Sequence, residues 1–280
     1  MKKKITSVIA LTALVACYVP AHALVVPASF DFGTDSGKTT YGDAGFTDAS
    51  ETGVSITDQP DSVNFLETAD GGVKTGGITR TFTGLGGGER NDFTITSEFS
   101  LATFRSWVTG TRPGGILLFA DSSSLADING TGLAVQIHST GSFTEEELRI
   151  TNGIDGSVLA SVQWADGEIA GTNDDDLRHP DVLEWKVDVS FSGTDTMDVN
   201  ATLTRLEDGN GTAGDSQSVS FSTNDASSFI GGDHFGFGGR YRDGDETNLN
   251  SYSVIPEPST YALLFGGLAF GLILLRRRRK

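Results

Sequence analysis

The chain has 280 residues, and its 37 acidic residues outnumber its 20 basic residues to give a formal net charge of −17. With 36 Gly and only 7 Pro, the composition excludes a collagen-like or proline-rich chain. The negative charge argues against a nucleic-acid partner, because phosphate binding needs a basic face.

The N-terminal segment is typical of an export signal. It begins with a basic start at Lys2–Lys4, continues through an apolar run from Ile5 to Val19, and reaches a small-residue cleavage site at Ala21 and Ala23. Residues 1–23 are therefore predicted to be a secretory signal peptide that uses the Sec export machinery. Leu14–Cys17 also fits a lipobox, in which Cys17 would be lipidated, and both interpretations stay open. Because Cys17 is the only cysteine, the exported domain is predicted to lack disulfides.

Residues 24–254 are predicted to form one all-β domain, an antiparallel β-sandwich. Apolar residues alternate with polar ones in short runs between clusters of Gly, Asp, Asn and Ser, a pattern typical of strands with one buried face. The clearest run places Leu183, Trp185 and Val187 on the core face. Ile116–Ala120 is apolar throughout, so we expect it to be covered on both faces. The other inward-facing sets are Phe93, Ile95, Phe99 and Leu101; Leu133, Val135 and Ile137; and Val158, Ala160, Val162 and Trp164.

The order of these segments resembles the concanavalin A-like (laminin-G-like) jelly roll. The segments that carry the resemblance are 91–95, 115–120, 132–137, the Trp185 strand, 198–203 and 235–238. The resemblance implies a soluble sandwich whose ligand is a carbohydrate, and it implies calcium near the ligand in some members.

Catalysis is not predicted. Glycan-cleaving enzymes on this fold resemble one another in a strand with Glu-x-Asp-x-Glu, whereas here Lys186 separates Glu184 from Asp188 and the third acid is missing. We expect Lys186 to form ion pairs with these acids on a solvent face. A glycan-active enzyme stays the third alternative and would need two carboxylates about 5–9.5 Å apart in a groove.

Two acidic loops are the candidate calcium sites, because calcium takes six to eight oxygen ligands. One contains Asp174 and Asp176, and the other contains Asp243 and Asp245. Solvated turns would have the same composition, since Asp, Asn and Gly dominate turns. The candidate rings for stacking on a sugar are Trp107, which leads toward a turn, and Tyr241, which lies between Arg240 and Arg242.

The C-terminal segment, residues 255–280, combines three features. Pro256, Glu257 and Pro258 precede an apolar run from Tyr261 to Leu275, and five basic residues follow. The run is about 22 Å long as a helix, short for a hydrocarbon core of ~30 Å, and it predicts a transmembrane helix with its basic tail in the cytoplasm. The order of these features resembles the PEP-CTERM sorting signal of Gram-negative bacteria. That resemblance implies recognition of Pro256, Glu257 and Pro258 by an exosortase, whereas a permanent tail anchor is the alternative.

These features together predict an exported protein of the cell envelope or extracellular matrix of a bacterium that makes exopolysaccharide or biofilm. Its sandwich is predicted to be a non-catalytic module that binds exopolysaccharide or another glycan. A structural surface protein without a defined ligand is the second hypothesis.

Overall fold

The computed structural model describes residues 27–68, 72–103, 110–111, 114–121, 132–139, 146–154, 156–163, 182–207, 216–242 and 244–257. In these ranges the chain forms sixteen strands and one turn of 3-10 helix at Ala226–Ser228. The strands are β1 (Ala28–Asp31), β2 (Thr47–Asp48), β3 (Val54–Asp58), β4 (Val63–Glu67), β5 (Val73–Thr81), β6 (Phe93–Thr103), β7 (Gly110–Thr111), β8 (Gly115–Ala120), β9 (Leu133–Ser139), β10 (Glu146–Asn152), β11 (Val158–Gln163), β12 (Val182–Ser192), β13 (Thr196–Glu207), β14 (Ser216–Thr223), β15 (His234–Arg242) and β16 (Glu246–Pro256).

The strands build two eight-stranded antiparallel sheets that pack face to face. Sheet I has the order β14-β13-β12-β6-β16-β4-β3, with β1 also paired to β16. Sheet II has the order β11-β10-β9-β8-β15-β5-β2, with β7 also paired to β9. Strands distant in sequence, such as β6 and β16, are neighbours in space, as in a jelly roll. The predicted antiparallel β-sandwich is confirmed.

Strand β12 shows how the sequence pattern produces the core. Leu183, Trp185 and Val187 are fully buried between the sheets, whereas Glu184 and Lys186 lie on the outer face of sheet I. Successive side chains of a strand point to opposite faces, so the period-two pattern separates core from solvent. The prediction for this strand is confirmed.

The apolar strand β8 is covered on both faces, as predicted. Ile116 and Leu118 belong to the main core between the sheets. Leu117 and Ala120 point the other way and pack in a second, smaller cluster with Ala49, Ala134 and Ile154 on the outer face of sheet II. A continuous apolar run is therefore explained by a second apolar layer and not by the main core alone.

A row of inward side chains crosses sheet I, and one of them is hydrogen-bonded to sheet II. Trp185 pairs with Ser97, which also pairs with Tyr252, so a small residue separates two large buried rings. The Trp185 Nε1–H donates a 2.7 Å hydrogen bond to the carbonyl oxygen of Gly114, immediately before β8. Gly114 has a φ of +90°, and a Cβ there would lie 2.4 Å from the Phe99 ring. This position therefore requires glycine for both its conformation and its close packing.

The predicted inward face of β11 is wrong at Val158. Val158 was expected to point inward with Ala160 and Val162, yet it is 47% exposed. The pairing of β11 with β10 shifts between Ile150 and Thr151, so that Ile150 pairs with Ala160 and Thr151 with Val158. This β-bulge moves Val158 to the outer face, which a strict alternation cannot anticipate. Trp164, the fourth residue of that set, lies outside the described residues.

The last strand, β16, runs to Pro256, beyond the end of the predicted domain at residue 254. The C-terminal helix predicted over 261–275 lies outside the described residues. A search of the described ranges finds no helix with the length and apolar character that a membrane crossing requires.

Candidate functional site

The prediction that Tyr241 is an exposed stacking ring is wrong. Tyr241 is fully buried, and its ring stacks on that of Phe65 with centroids 6.3 Å apart. On β15 it shares the inward face with Phe235 and Phe237, whereas its neighbours Arg240 and Arg242 point outward. The two arginines suggested exposure, but strand alternation places the ring between them on the opposite face. Burial raises the pKa of its phenol.

Most of the other predicted site residues lie outside the described residues. These are the cleavage-site residues Ala21 and Ala23, the ring of Trp107, the aspartates Asp174, Asp176 and Asp243, and the motif residue Pro258.

Asp245, the described member of the candidate calcium loops, has a structural role in the β15–β16 turn. It is only 2% exposed, and its Oδ2 accepts a 2.9 Å hydrogen bond from the Arg242 N–H. The Asp245 carbonyl oxygen accepts a hydrogen bond from the Glu67 N–H, and Glu67 Oε2 accepts one from the Gly244 N–H. The Asp245 carboxylate therefore stabilises the turn itself, and the Asp245 carbonyl and the Glu67 carboxylate tie the turn to β4. Within the described ranges, no group of three or more His, Cys, Asp or Glu residues is placed to hold a metal ion.

The acids of β12 belong to a polar lattice on the outer face of sheet I. Lys186 Nζ lies 2.8 Å from Asp188 Oδ2, which confirms that predicted ion pair. Asp188 Oδ1 also accepts a 2.7 Å hydrogen bond from the Thr94 hydroxyl. Nearby, Thr202 is hydrogen-bonded to Ser218 and Ser220 to Asn200. Asp188 is thus engaged by its own strand and by β6.

A polar cluster on the outer face of sheet II was not found from the sequence. It consists of Gln136 and His138 on β9 with Glu147 and Arg149 on β10. His138 pairs with Glu147, and Gln136 pairs with Arg149, so the four side chains share one face. Arg149 Nη2 lies 2.5 Å from Glu147 Oε2, with side chains that are 22% and 16% exposed. The alternation against Leu133, Val135 and Ile137 was visible in the sequence, but the register that brings β10 alongside was not.

Electrostatics hold Glu147 ionised within this cluster. Burial by itself raises the pKa of Glu147, but hydrogen bonds from Ser161 and Arg149, with the charges of Arg149 and His138, outweigh it and lower the pKa. The cluster therefore places a carboxylate acceptor beside a guanidinium donor, and the two groups are paired with each other.

Beside the cluster, the outer face of sheet II carries a row of glycines. Gly115 of β8 pairs with Gly238 of β15, and Gly238 pairs with Gly77 of β5. A Cβ at Gly115 would lie 3.6 Å from the Gln136 side chain, so this row continues directly from the cluster. Three adjacent strands thus have no side chains along one row, and the three glycines and Gln136 are buried. The cluster and this row are called the sheet II trough below.

The first residues of the segment that resembles a sorting motif are part of sheet I. Pro256 pairs with Phe93 of β6, and the Glu257 N–H donates a 3.1 Å hydrogen bond to the Asp92 carbonyl oxygen. The motif therefore begins inside the sandwich and not on a linker.

Comparisons with known proteins support both the C-terminal sorting motif and the β-sandwich fold. The sequence model of the PEP-CTERM protein-sorting motif matches residues 254–279. The chain therefore carries this motif at its C-terminus, as its residues predicted. A comparison with curated protein sequences found no match.

Among solved structures, the sandwich is similar to plant lectins. Lectin II from Ulex europaeus has a TM-score of 0.51 at 13% identity, covering 82% of this chain and 97% of the lectin. Lectin I-B4 from Griffonia simplicifolia, in a metal-free form, has a TM-score of 0.52 at 12% identity, covering 83% of this chain and 99% of the lectin. A lectin from Bauhinia forficata in complex with GalNAc has a TM-score of 0.50 at 13% identity, covering 84% and 99% of the two chains. The fold is therefore a lectin-like β-sandwich, as the resemblance to the concanavalin A-like jelly roll implied.

Proposed function

We propose that this protein is exported, sorted by an exosortase through Pro256–Pro258, and binds carbohydrate through its sandwich. The observation that carries the proposal is the match to the PEP-CTERM motif directly after a lectin-like sandwich. The motif match supports a place in the cell envelope or extracellular matrix of a Gram-negative bacterium. In this proposal the apolar run over 261–275 holds the precursor in the membrane until the exosortase acts.

The sheet II trough is the proposed carbohydrate site. Sugars present adjacent hydroxyl groups that need both donors and acceptors, and Arg149 and Glu147 offer both side by side. The glycine row beside them is buried, so Arg149 and Glu147 are the partly exposed groups of the proposed site. Trp107 is a proposed stacking ring and lies outside the described residues.

The proposed carbohydrate ligand is an exopolysaccharide or another glycan of the matrix into which the protein is sorted. Calcium stays a prediction, since three of its four aspartates lie outside the described residues, and the proposed sugar contacts do not depend on it. The binding test is therefore run with calcium and with a chelator.

A glycan array that includes matrix exopolysaccharide tests carbohydrate binding. Arg149→Ala removes the donor of the sheet II trough and is expected to weaken binding about tenfold or more, as for a charge-assisted hydrogen bond. Lys186→Ala is the matched control, because Lys186 also binds an acid two residues away but on the outer face of sheet I. Equal losses in both variants would contradict this site. A folded protein that binds nothing on the array would favour the structural surface protein instead.

Sorting is tested separately in a bacterium that has an exosortase. Glu257→Ala is expected to leave the precursor unprocessed in the membrane fraction, whereas Glu184→Ala, an acid on the outer face of sheet I, is expected to be processed normally. Normal processing of Glu257→Ala would contradict the sorting proposal and leave a permanent tail anchor as the better reading.

A further inference from the structure

The sorting motif and the sandwich share residues. The motif match begins at residue 254, and β16 ends at Pro256. Val254 is fully buried and pairs with Ile95 on one side and Ala28 on the other, so it is a core residue of sheet I. The overlap means that no spacer separates the folded domain from the motif.

Asp92 connects the start of the motif to two other strands. Its carbonyl oxygen accepts the 3.1 Å hydrogen bond from the Glu257 N–H, and its Oδ1 accepts a 2.7 Å hydrogen bond from the Phe191 N–H of β12. Glu257 also lies near Lys186, whose pKa is raised chiefly by its hydrogen bond with Asp188 and further by the charge of Glu257. The motif is therefore held by its backbone and by a neighbouring charge.

Pro256 fits this strand end without loss of a hydrogen bond. In an antiparallel ladder successive N–H groups point to opposite sides. Since the Glu257 N–H points to β6, the nitrogen of Pro256 points to the side of β1. That pairing ends at Val254, opposite Ala28, so no donor is needed at residue 256. The motif proline is compatible with the sheet, and it does not force the chain out of it.

An enzyme that processes a peptide motif must reach its backbone, which in residues 255–257 is engaged by β6. We propose that the end of β16 must detach from β6 before the exosortase can take the motif, so that the folded sandwich limits the rate of processing. This inference rests on the proposed sorting by an exosortase. Because Val254 is a core residue, detachment stops there, and the product keeps the chain through Val254.

A pulse-chase experiment on the full chain in an exosortase-bearing host tests the inference, with the ratio of precursor to product as the readout. A Gly-Ser spacer between Ile255 and Pro256 frees the motif from β6 and is expected to speed processing about three- to tenfold, the effect of losing one or two backbone hydrogen bonds. The control is the same spacer at Gly193, in the exposed β12–β13 turn, which is expected to leave the rate unchanged.

A disulfide between β6 and β16 tests whether processing slows when the end of β16 cannot detach. Thr94 and Ile255 are paired across β6 and β16, and Ile255 is 51% exposed. Paired residues on antiparallel strands lie within the ~4.4–6.8 Å Cα separation that a disulfide requires. The double variant Thr94→Cys with Ile255→Cys is expected to be processed more slowly, with wild-type speed restored by a reductant and in each single variant.

The outcomes separate this inference from the sorting proposal. If neither the spacer nor the cross-link changes the rate while Glu257→Ala blocks processing, the exosortase accepts the motif on the intact sheet and the inference is overturned. If Glu257→Ala is processed normally, sorting itself is wrong. A product whose C-terminus precedes Val254 would also overturn the inference.

Discussion

The hydrogen bond from Trp185 to Gly114 connects the two sheets, and its loss is the most informative perturbation of the fold. Trp185→Phe removes roughly three non-hydrogen atoms from a fully buried site, which costs about 2 kcal/mol at about 0.8 kcal/mol for each methylene-sized group. It also leaves the Gly114 carbonyl without its donor, which costs about 1–3 kcal/mol. The expected loss of unfolding free energy is therefore about 3–5 kcal/mol, a large part of the total of about 5–15 kcal/mol for a typical domain.

Urea unfolding followed by far-UV circular dichroism measures this loss, since the substitution removes a fluorescent side chain. Val187→Ala is the matched control, because Val187 is the next inward residue of β12 and is fully buried. It loses two methyl groups but no hydrogen bond, and we expect a cost of about 2 kcal/mol. A Trp185→Phe loss no larger than that of Val187→Ala would refute the argument that this hydrogen bond ties the sheets together.

Three further results are expected. Gly114→Ala should destabilise the fold by about 2 kcal/mol or more, because it combines a φ of +90° with a contact to Phe99. Gly193→Ala, at φ +66° and with no described atom within 4 Å of the added Cβ, should cost about 1 kcal/mol, and equal unfolding midpoints would contradict this. Ser97→Ala should leave the urea midpoint unchanged or raise it, because the buried Ser97 hydroxyl has no hydrogen-bond partner among the residues that the structure describes. A loss above about 1 kcal/mol would count against that argument. Burial raises the pKa of Tyr241 and Tyr252 above the ordinary 10.0. The free energy of unfolding should therefore be insensitive to these groups at neutral pH and should fall above about pH 10, because only the unfolded chain releases their protons there. A thermal unfolding temperature that stays constant up to about pH 11 would disprove this expectation.

Much of the fold could be predicted from local patterns. The inward faces of β12 and β6 follow from alternation, and the continuous apolar run of β8 predicted that both of its faces are covered. Local pattern failed at Val158, where a bulge shifts the register, and at Tyr241, where flanking arginines suggested an exposed ring. At Val158 the bulge breaks the alternation itself, whereas at Tyr241 the chemistry of the sequence neighbours was a poor guide to the face that the ring occupies.

The candidate sites depended more strongly on pairing between distant strands. The trough brings β9 and β10 alongside the glycine row of β8, β15 and β5, and no local pattern carries that register. The overlap of the sorting motif with β16 was equally hidden. Proline has no N–H to donate, so Pro256 suggests that the strand has already ended, whereas it is the last paired residue of β16.

The sequence by itself determined the sorting motif, the all-β class and the buried face of most strands, because each depends on residues close together in the chain. Only the tertiary structure decided which polar residues share the sheet II trough, where Tyr241 lies, and that Asp92 holds the start of the motif. Those outcomes depend on hydrogen-bonded pairing between strands far apart in sequence. Pairing is set by the packing of the whole sandwich, whereas alternation is set by the geometry of a single strand.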